Sequence, residues 1–198
     1  GGDLNVGSHT LSIGGAGTFS NATNSALVLD VADSILSLTG NGTISGPVKL
    51  ESGTLKSTGS PTVSGAMTQY SDATIEVSTN QTLTYSGAPF SLGANTLTLT
   101  GGGTLMSGGL DLNNANSKLL LNSITVDSVS TTVDNSLGVD VDNDSTITSL
   151  SVANITPVSI ASGKTLSGAI TVTAGSLKLT EAGTLASSVS MSGGVLDA

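Results

Sequence analysis

Leu38-Thr-Gly-Asn-Gly-Thr-Ile-Ser-Gly-Pro-Val-Lys-Leu-Glu-Ser-Gly-Thr-Leu55 contains a strand, a bend and a second strand in eighteen residues. Thr43-Ile44 begins an alternation of polar and apolar side chains, and Val48-Lys49-Leu50 resumes it after the Ser45-Gly46-Pro47 corner. A period of two means extended backbone with one face buried, because successive side chains of a strand point to opposite sides. Glycine and proline between the alternations supply the left-handed or preset dihedrals that a sharp bend needs.

The same pattern recurs along the chain. A threonine followed by a large apolar residue marks each recurrence: Thr18-Phe19, Thr43-Ile44, Thr62-Val63, Thr82-Leu83, Thr104-Leu105, Thr125-Val126, Thr146-Ile147, Thr165-Leu166 and Thr184-Leu185, at steps of 19 to 25 residues. Alternating pairs such as Leu36 and Leu38 or Leu97 and Leu99 precede the threonine, and others such as Val48 and Leu50 or Ile170 and Val172 follow it. Nothing repeats with a helical period. Near-constant length, one threonine column and three short strands per repeat predict an all-β fold, a parallel β-helix of nine to ten coils of roughly 20 residues, three short strands each. A sandwich or barrel would need direction-reversing hairpins and has no reason to repeat at fixed length. The reading makes residues 1–198 a single solenoid domain, a segment of a longer assembly or a stackable unit in one. The four prolines are expected at corners, and the long Ala22 to Ser34 stretch is expected to form a bulge, side loop or part of an end cap.

Composition narrows function. Ser and Thr occupy 60 of 198 positions, Arg and Cys are absent, and His9 is the only histidine. No thiolate metal site, disulfide or cysteine nucleophile can be built. A net charge of −9 with five lysines repels phosphate backbones and anionic lipid, so neither nucleic acid nor a membrane surface is expected as a partner. No apolar run has the length to span a bilayer, and no export signal or membrane barrel is recognisable. Charged residues at 10% and a surface of hydroxyls suit an extracellular or cell-surface location.

The Leu38–Leu55 segment, and Thr165-Leu-Ser-Gly-Ala-Ile-Thr-Val-Thr-Ala-Gly-Ser-Leu-Lys-Leu179, resemble the glycine- and threonine-rich repeats of bacterial autotransporter passengers and related surface adhesins. The resemblance covers nearly the whole chain. It implies a right-handed helix exported to the bacterial cell surface, with the role of a stalk, an adhesin passenger or a filament building block. Implied partners are further coils of the same chain or a second copy stacked end to end, and a host-surface or glycan receptor. No cofactor and no catalytic residue follow from it.

Two residue sets are candidate sites. Asp140, Asp142 and Asp144 form the nearest thing to a calcium site, since oxygen ligands at alternate positions suit that ion. Against it, Val139 and Val141 pointing inward would leave Asp140 and Asp142 as solvated strand residues, and the glycine-centred turn of a calcium loop is missing. The second set is the column Thr18, Thr43, Thr62, Thr82, Thr146 and Thr165, each with Ser or Thr two positions on. Two hydroxyl columns on one flat face would suit an ice surface or a glycan. Strand propensity and laddering of identical neighbours also account for such a column without any ligand.

Overall fold

Segments such as Thr96-Leu-Thr-Leu-Thr100 bury every second residue, and they gain a dry face only when another such segment lies beside them. The chain meets this requirement by stacking its own repeats. A computed structural model describes residues 2–21, 25–135 and 137–197 as a parallel β-solenoid of about nine turns, with no helix among them.

The first three coils carry β1 (Leu4–Asn5), β2 (Thr10–Ile13) and β3 (Thr18–Phe19), then β4 (Leu27–Leu29), β5 (Ile35–Leu38) and β6 (Thr43–Ile44), then β7 (Val48–Leu50), β8 (Thr54–Ser57) and β9 (Thr62–Val63). The next two carry β10 (Met67–Gln69), β11 (Ala73–Val77) and β12 (Thr82–Tyr85), then β13 (Phe90–Ser91), β14 (Thr96–Thr100) and β15 (Thr104–Met106). β16 (Leu110–Leu112), β17 (Lys118–Asn122) and β18 (Thr125–Thr131) follow. The remaining turns are built from β19 (Gly138–Asn143), β20 (Ser145–Val152), β21 (Thr156–Ile160), β22 (Thr165–Val172), β23 (Ser176–Leu179), β24 (Thr184–Met191) and β25 (Val195–Asp197).

Three parallel sheets result. Sheet A runs β1-β4-β7-β10, sheet B runs from β2 to β25 through ten strands, and sheet C runs from β3 to β24, with β13 and β16 joined to it through β18. The core is a set of aliphatic columns. In sheet B, Leu11, Leu36, Leu55, Ile75, Leu99, Leu121, Val141 and Ile160 stand on one another in register through eight coils. From Leu36 to Ile160 all of them are buried. Each such side chain contributes about 1.5–3 kcal/mol by burial. The half-buried surface ion pairs Lys56–Glu76 at 2.8 Å and Lys118–Asp140 at 2.5 Å add at most about 1 kcal/mol each. Apolar columns therefore hold the rod, and the ion pairs, which link neighbouring coils, only favour the register.

Two expectations need correction. The stretch from Ala22 to Ser34 is no bulge in its described part: Leu27, Val28 and Leu29 are buried and pair as β4 with both β1 and β7. Ala22, Thr23 and Asn24 lie outside the described residues. The extra length is absorbed around this strand, and Ser34, itself buried, donates from Oγ to the Gly7 carbonyl at 2.7 Å and accepts the Val31 N–H at 3.1 Å. Pro157 also departs from the corners, since it is the second residue of β21. A missing N–H costs least at the start of a strand.

Three strands per coil hold through the first half. From β18 onward, sheets A and C run together, and one strand of seven or eight residues replaces two short ones. The reason is local. The corner between the two faces reads Ser45-Gly46-Pro47, Ser64-Gly65-Ala66, Ser86-Gly87-Ala88-Pro89 and Ser107-Gly108-Gly109 in the early coils, but Asp127-Ser128, Thr148-Ser149 and Ser187-Ser188 later. Without glycine or proline to interrupt it, the ladder continues. Gly168 is the exception, and there the strand carries an irregularity: β20 and β22 shift register between Ile147 and Ser149, and Gly168 has φ 132°. A Cβ at Gly168 would collide with the Ile147 carbonyl oxygen.

Candidate functional site

The nine threonines all lie on sheet C, and all are half-buried except Thr18 and Thr184, which are exposed. Their register is less simple than their spacing. Thr18 pairs with Thr43 and Thr43 with Thr62, but Thr62 then stands against Thr84 and not Thr82. Thr82, Thr104, Thr125 and Thr146 form a second run, and Thr146 meets Ser167 in place of Thr165. Thr165 begins a third run with Thr184. The candidate residues Thr18, Thr43, Thr62, Thr82, Thr146 and Thr165 thus occupy three blocks offset by two residues, not one column. Counting from threonine to threonine missed the offset, because a two-residue slip keeps the inward and outward sets intact and leaves the alternation unchanged. A shallow depression of about 260 Å³ marks the second offset, lined by Thr125, Asp144, Thr146, Thr165 and Ser167 among others.

The acidic candidates serve separate tasks. Asp140 pairs with Lys118, and the Oδ1 of Asp144 accepts the Thr165 N–H at 2.8 Å, while Asp142 is exposed. Among the described residues, no group of three acidic or histidine side chains is placed to hold a metal ion. Asp140, Asp142 and Asp144 are thus engaged separately, as an ion-pair partner, an exposed side chain and a backbone acceptor. His9 is exposed on the first coil.

Sequence reading missed three constellations at corners. Asp127 stands at the corner, two residues after the repeat threonine, and accepts from Ser107 N–H at 3.0 Å, Ser107 Oγ at 2.8 Å, Ser128 N–H at 2.8 Å and Gly108 N–H at 3.0 Å. Burial alone pushes its carboxyl up, but these bonds outweigh it, and its pKa lies below the ordinary value. Asn135, buried, donates to the Asn114 carbonyl at 2.9 Å and the Ser117 carbonyl at 2.8 Å, and accepts from Leu137 N–H at 2.8 Å and from Gly138 N–H. It ties three segments of two coils together.

The third is a break in the side of the rod. β10 pairs with β7 and β13 pairs with β16, yet no ladder joins β10 to β13. Tyr85 causes it. The slip that puts Thr84 against Thr62 also puts Tyr85 in line with Val63, so a ring enters the inward column where an isopropyl group stood. Its ring meets Phe90 edge-on at 6.2 Å, and its hydroxyl accepts the Met67 N–H at 3.2 Å. A side chain thus takes up a strand-edge donor that the next coil leaves without a ladder partner. A cleft of about 400 Å³ opens there, walled by Met67, Gln69, Tyr70, Tyr85, Pro89 and Asn113 among others. The signal lay in composition: three of the four aromatic residues, Tyr70, Tyr85 and Phe90, fall within 21 positions.

No protein-family model matches the chain, and no curated protein or solved structure matches it either. Its own ladders make it a β-solenoid repeat protein.

Proposed function

We propose that the chain is an extracellular, non-catalytic structural rod: a segment of a bacterial cell-surface stalk, adhesin passenger or filament. The observation that carries this reading is the unbroken aliphatic column through eight coils, which gives a stiff body about 40 Å long at ladder spacing. Such a body transmits position along its axis, and its outward residues are free to vary. The last strand supports the same reading. Val195 is 59% and Leu196 40% exposed on β25, and a second copy stacked on this edge would cover them. A ladder edge with apolar side chains is a template for another strand.

Electron microscopy with light scattering on the natively produced protein tests the rod. Elongated particles or fibres are expected, with Leu196→Lys abolishing any end-to-end growth. Compact particles would overturn the rod, and growth unchanged by Leu196→Lys would overturn stacking through this edge. The threonine face supports a second reading, binding of ice or of a glycan, since outward hydroxyls recur on one sheet through nine coils. Thermal hysteresis lost in Thr82→Tyr and Thr146→Tyr would favour ice, and its absence from the parent chain would remove that ligand.

A further inference from the structure

The cleft between β10 and β13 combines features found nowhere else among the described residues. It is a lateral break in the ladder, and it concentrates the aromatic side chains of a chain that has four. Tyr70 stands at its rim with 61% of its surface exposed, the highest fraction among the exposed large hydrophobic residues described. Gln69 stands in its wall. The Gln69 Nε2 donates to the Thr96 carbonyl at 2.8 Å, which fixes the orientation of the amide, and its shielded Oε1 has no hydrogen-bond donor. Across the cleft, Asn113 accepts the Gly93 N–H at 3.1 Å through Oδ1.

The lining bears no charged side chain. Lys49 and Asp111 are ladder partners of Thr68 and Ser91, one coil away on either side, and Lys49 is neutralised by its ion pair with Asp3, which leaves the negative charge of Asp111. An anionic ligand is therefore not favoured. An added peptide strand is also a poor fit, because Cα atoms of β10 and β13 approach within 8 Å, whereas a strand between them needs about 9.5 Å. A flat, uncharged, hydroxyl-rich ring suits the space: one apolar face for the Tyr70 ring, and hydroxyls for the Asn113 amide and the unpaired strand edge.

We propose that this cleft binds a neutral saccharide, with one sugar ring stacked on Tyr70 and its hydroxyls held by Asn113. Tyr70 provides the platform. Tyr85 lines the site, where its hydroxyl accepts the Met67 N–H. The proposal goes beyond the rod reading and uses a different surface from the threonine face.

The chain has two tyrosines and no tryptophan, so tyrosine emission reports directly on the site. The full chain is first applied to an array of neutral and acidic oligosaccharides, and the neutral hits are titrated by tyrosine fluorescence. Saturable binding of a neutral oligosaccharide is expected. Tyr70→Ala should weaken it at least about tenfold while Tyr70→Phe retains it within about threefold, as for an aromatic anchor. Asn113→Ala should weaken it by about fivefold or more, from loss of a hydroxyl partner. Circular dichroism of each variant establishes that the solenoid is intact. No neutral ligand, preference for acidic glycans, or affinity unchanged in Tyr70→Ala would each overturn the proposal. Binding lost instead in Thr82→Tyr and Thr146→Tyr would move the ligand to the threonine face and overturn it too. A chain that forms rods yet binds no neutral sugar would sink this site and leave the rod reading intact.

Discussion

In the coils before β18, three short strands are separated by glycine and proline corners; in those after it, two of the three sheets fuse into seven- and eight-residue strands. Both regions bury the same kind of aliphatic column, and the sheet B ladder passes between them without interruption. The difference therefore lies in the corners, not in the core. A corner with glycine or proline ends a ladder and frees the next strand to choose its own partner. That freedom allows β13 to leave β10, so the only lateral break described belongs to the early coils. A corner of serine or threonine lets the ladder continue, and the later coils gain pairing at the expense of such variation.

The largest effect is expected where the later coils still rely on a glycine. Gly168→Val should cost about 3 kcal/mol or more, because φ 132° and the nearby Ile147 carbonyl both oppose a Cβ. Thermal unfolding by circular dichroism measures it. The equivalent change at the ladder partner of Gly168, where the corner already holds serine, Ser187→Val, should cost under about 1 kcal/mol. Equal losses would mean that the fused strands do not depend on corner geometry.

Core truncation sharpens the comparison next. Leu55→Ala in the early coils should cost about 2–5 kcal/mol, and Leu121→Ala, at the junction of the two regions, should cost a similar amount because the column is shared. A much smaller loss at one of them would show that the two regions unfold separately.

Tyr85→Phe should cost about 1–2 kcal/mol in denaturant unfolding, since the Met67 N–H is left buried without its acceptor. Tyr85→Val probes the break itself. If the ring alone holds β13 away, hydrogen-exchange protection of the Ser91 amide should rise as the ladder closes. Unchanged exchange would assign the break to the Ser86–Pro89 corner.

The Asp127 corner gives a smaller, pH-dependent effect. Its folded pKa is lowered, so its stabilisation is complete above the unfolded carboxylate value near pH 4 and is lost as pH falls through the folded value. Asp127→Asn should cost about 1 kcal/mol at pH 7 and flatten the acid limb of the stability curve. An acid limb identical to that of the parent would remove Asp127 from the account. Least of all, Lys118→Ala should change stability by less than about 1 kcal/mol, and less still in high salt.

Much of this was legible in the residues. Period-two alternation at Leu97 and Leu99 and the recurring threonine gave strands, parallel stacking and inward columns, because burial of alternate side chains is a local consequence of extended backbone. Lys49, Asp111, Asp140 and Lys178 also face outward, as their apolar neighbours require. What spacing could not reveal is register across a corner of variable length. Thr82 and Thr165 looked like members of one column, and only the ladder partners show each two residues out of line. The cleft was hidden for the same reason, since it arises where Tyr85 lines up with Val63.

The sequence by itself determined that this chain is a stack of parallel coils around Leu, Val and Ile, since the hydrophobic period acts residue by residue. Tertiary structure alone decided which threonines align, where two sheets fuse and where the wall opens. Those outcomes depend on how many residues each corner consumes before the next strand finds its partner, and a two-residue difference there preserves every inward side chain while shifting all its neighbours.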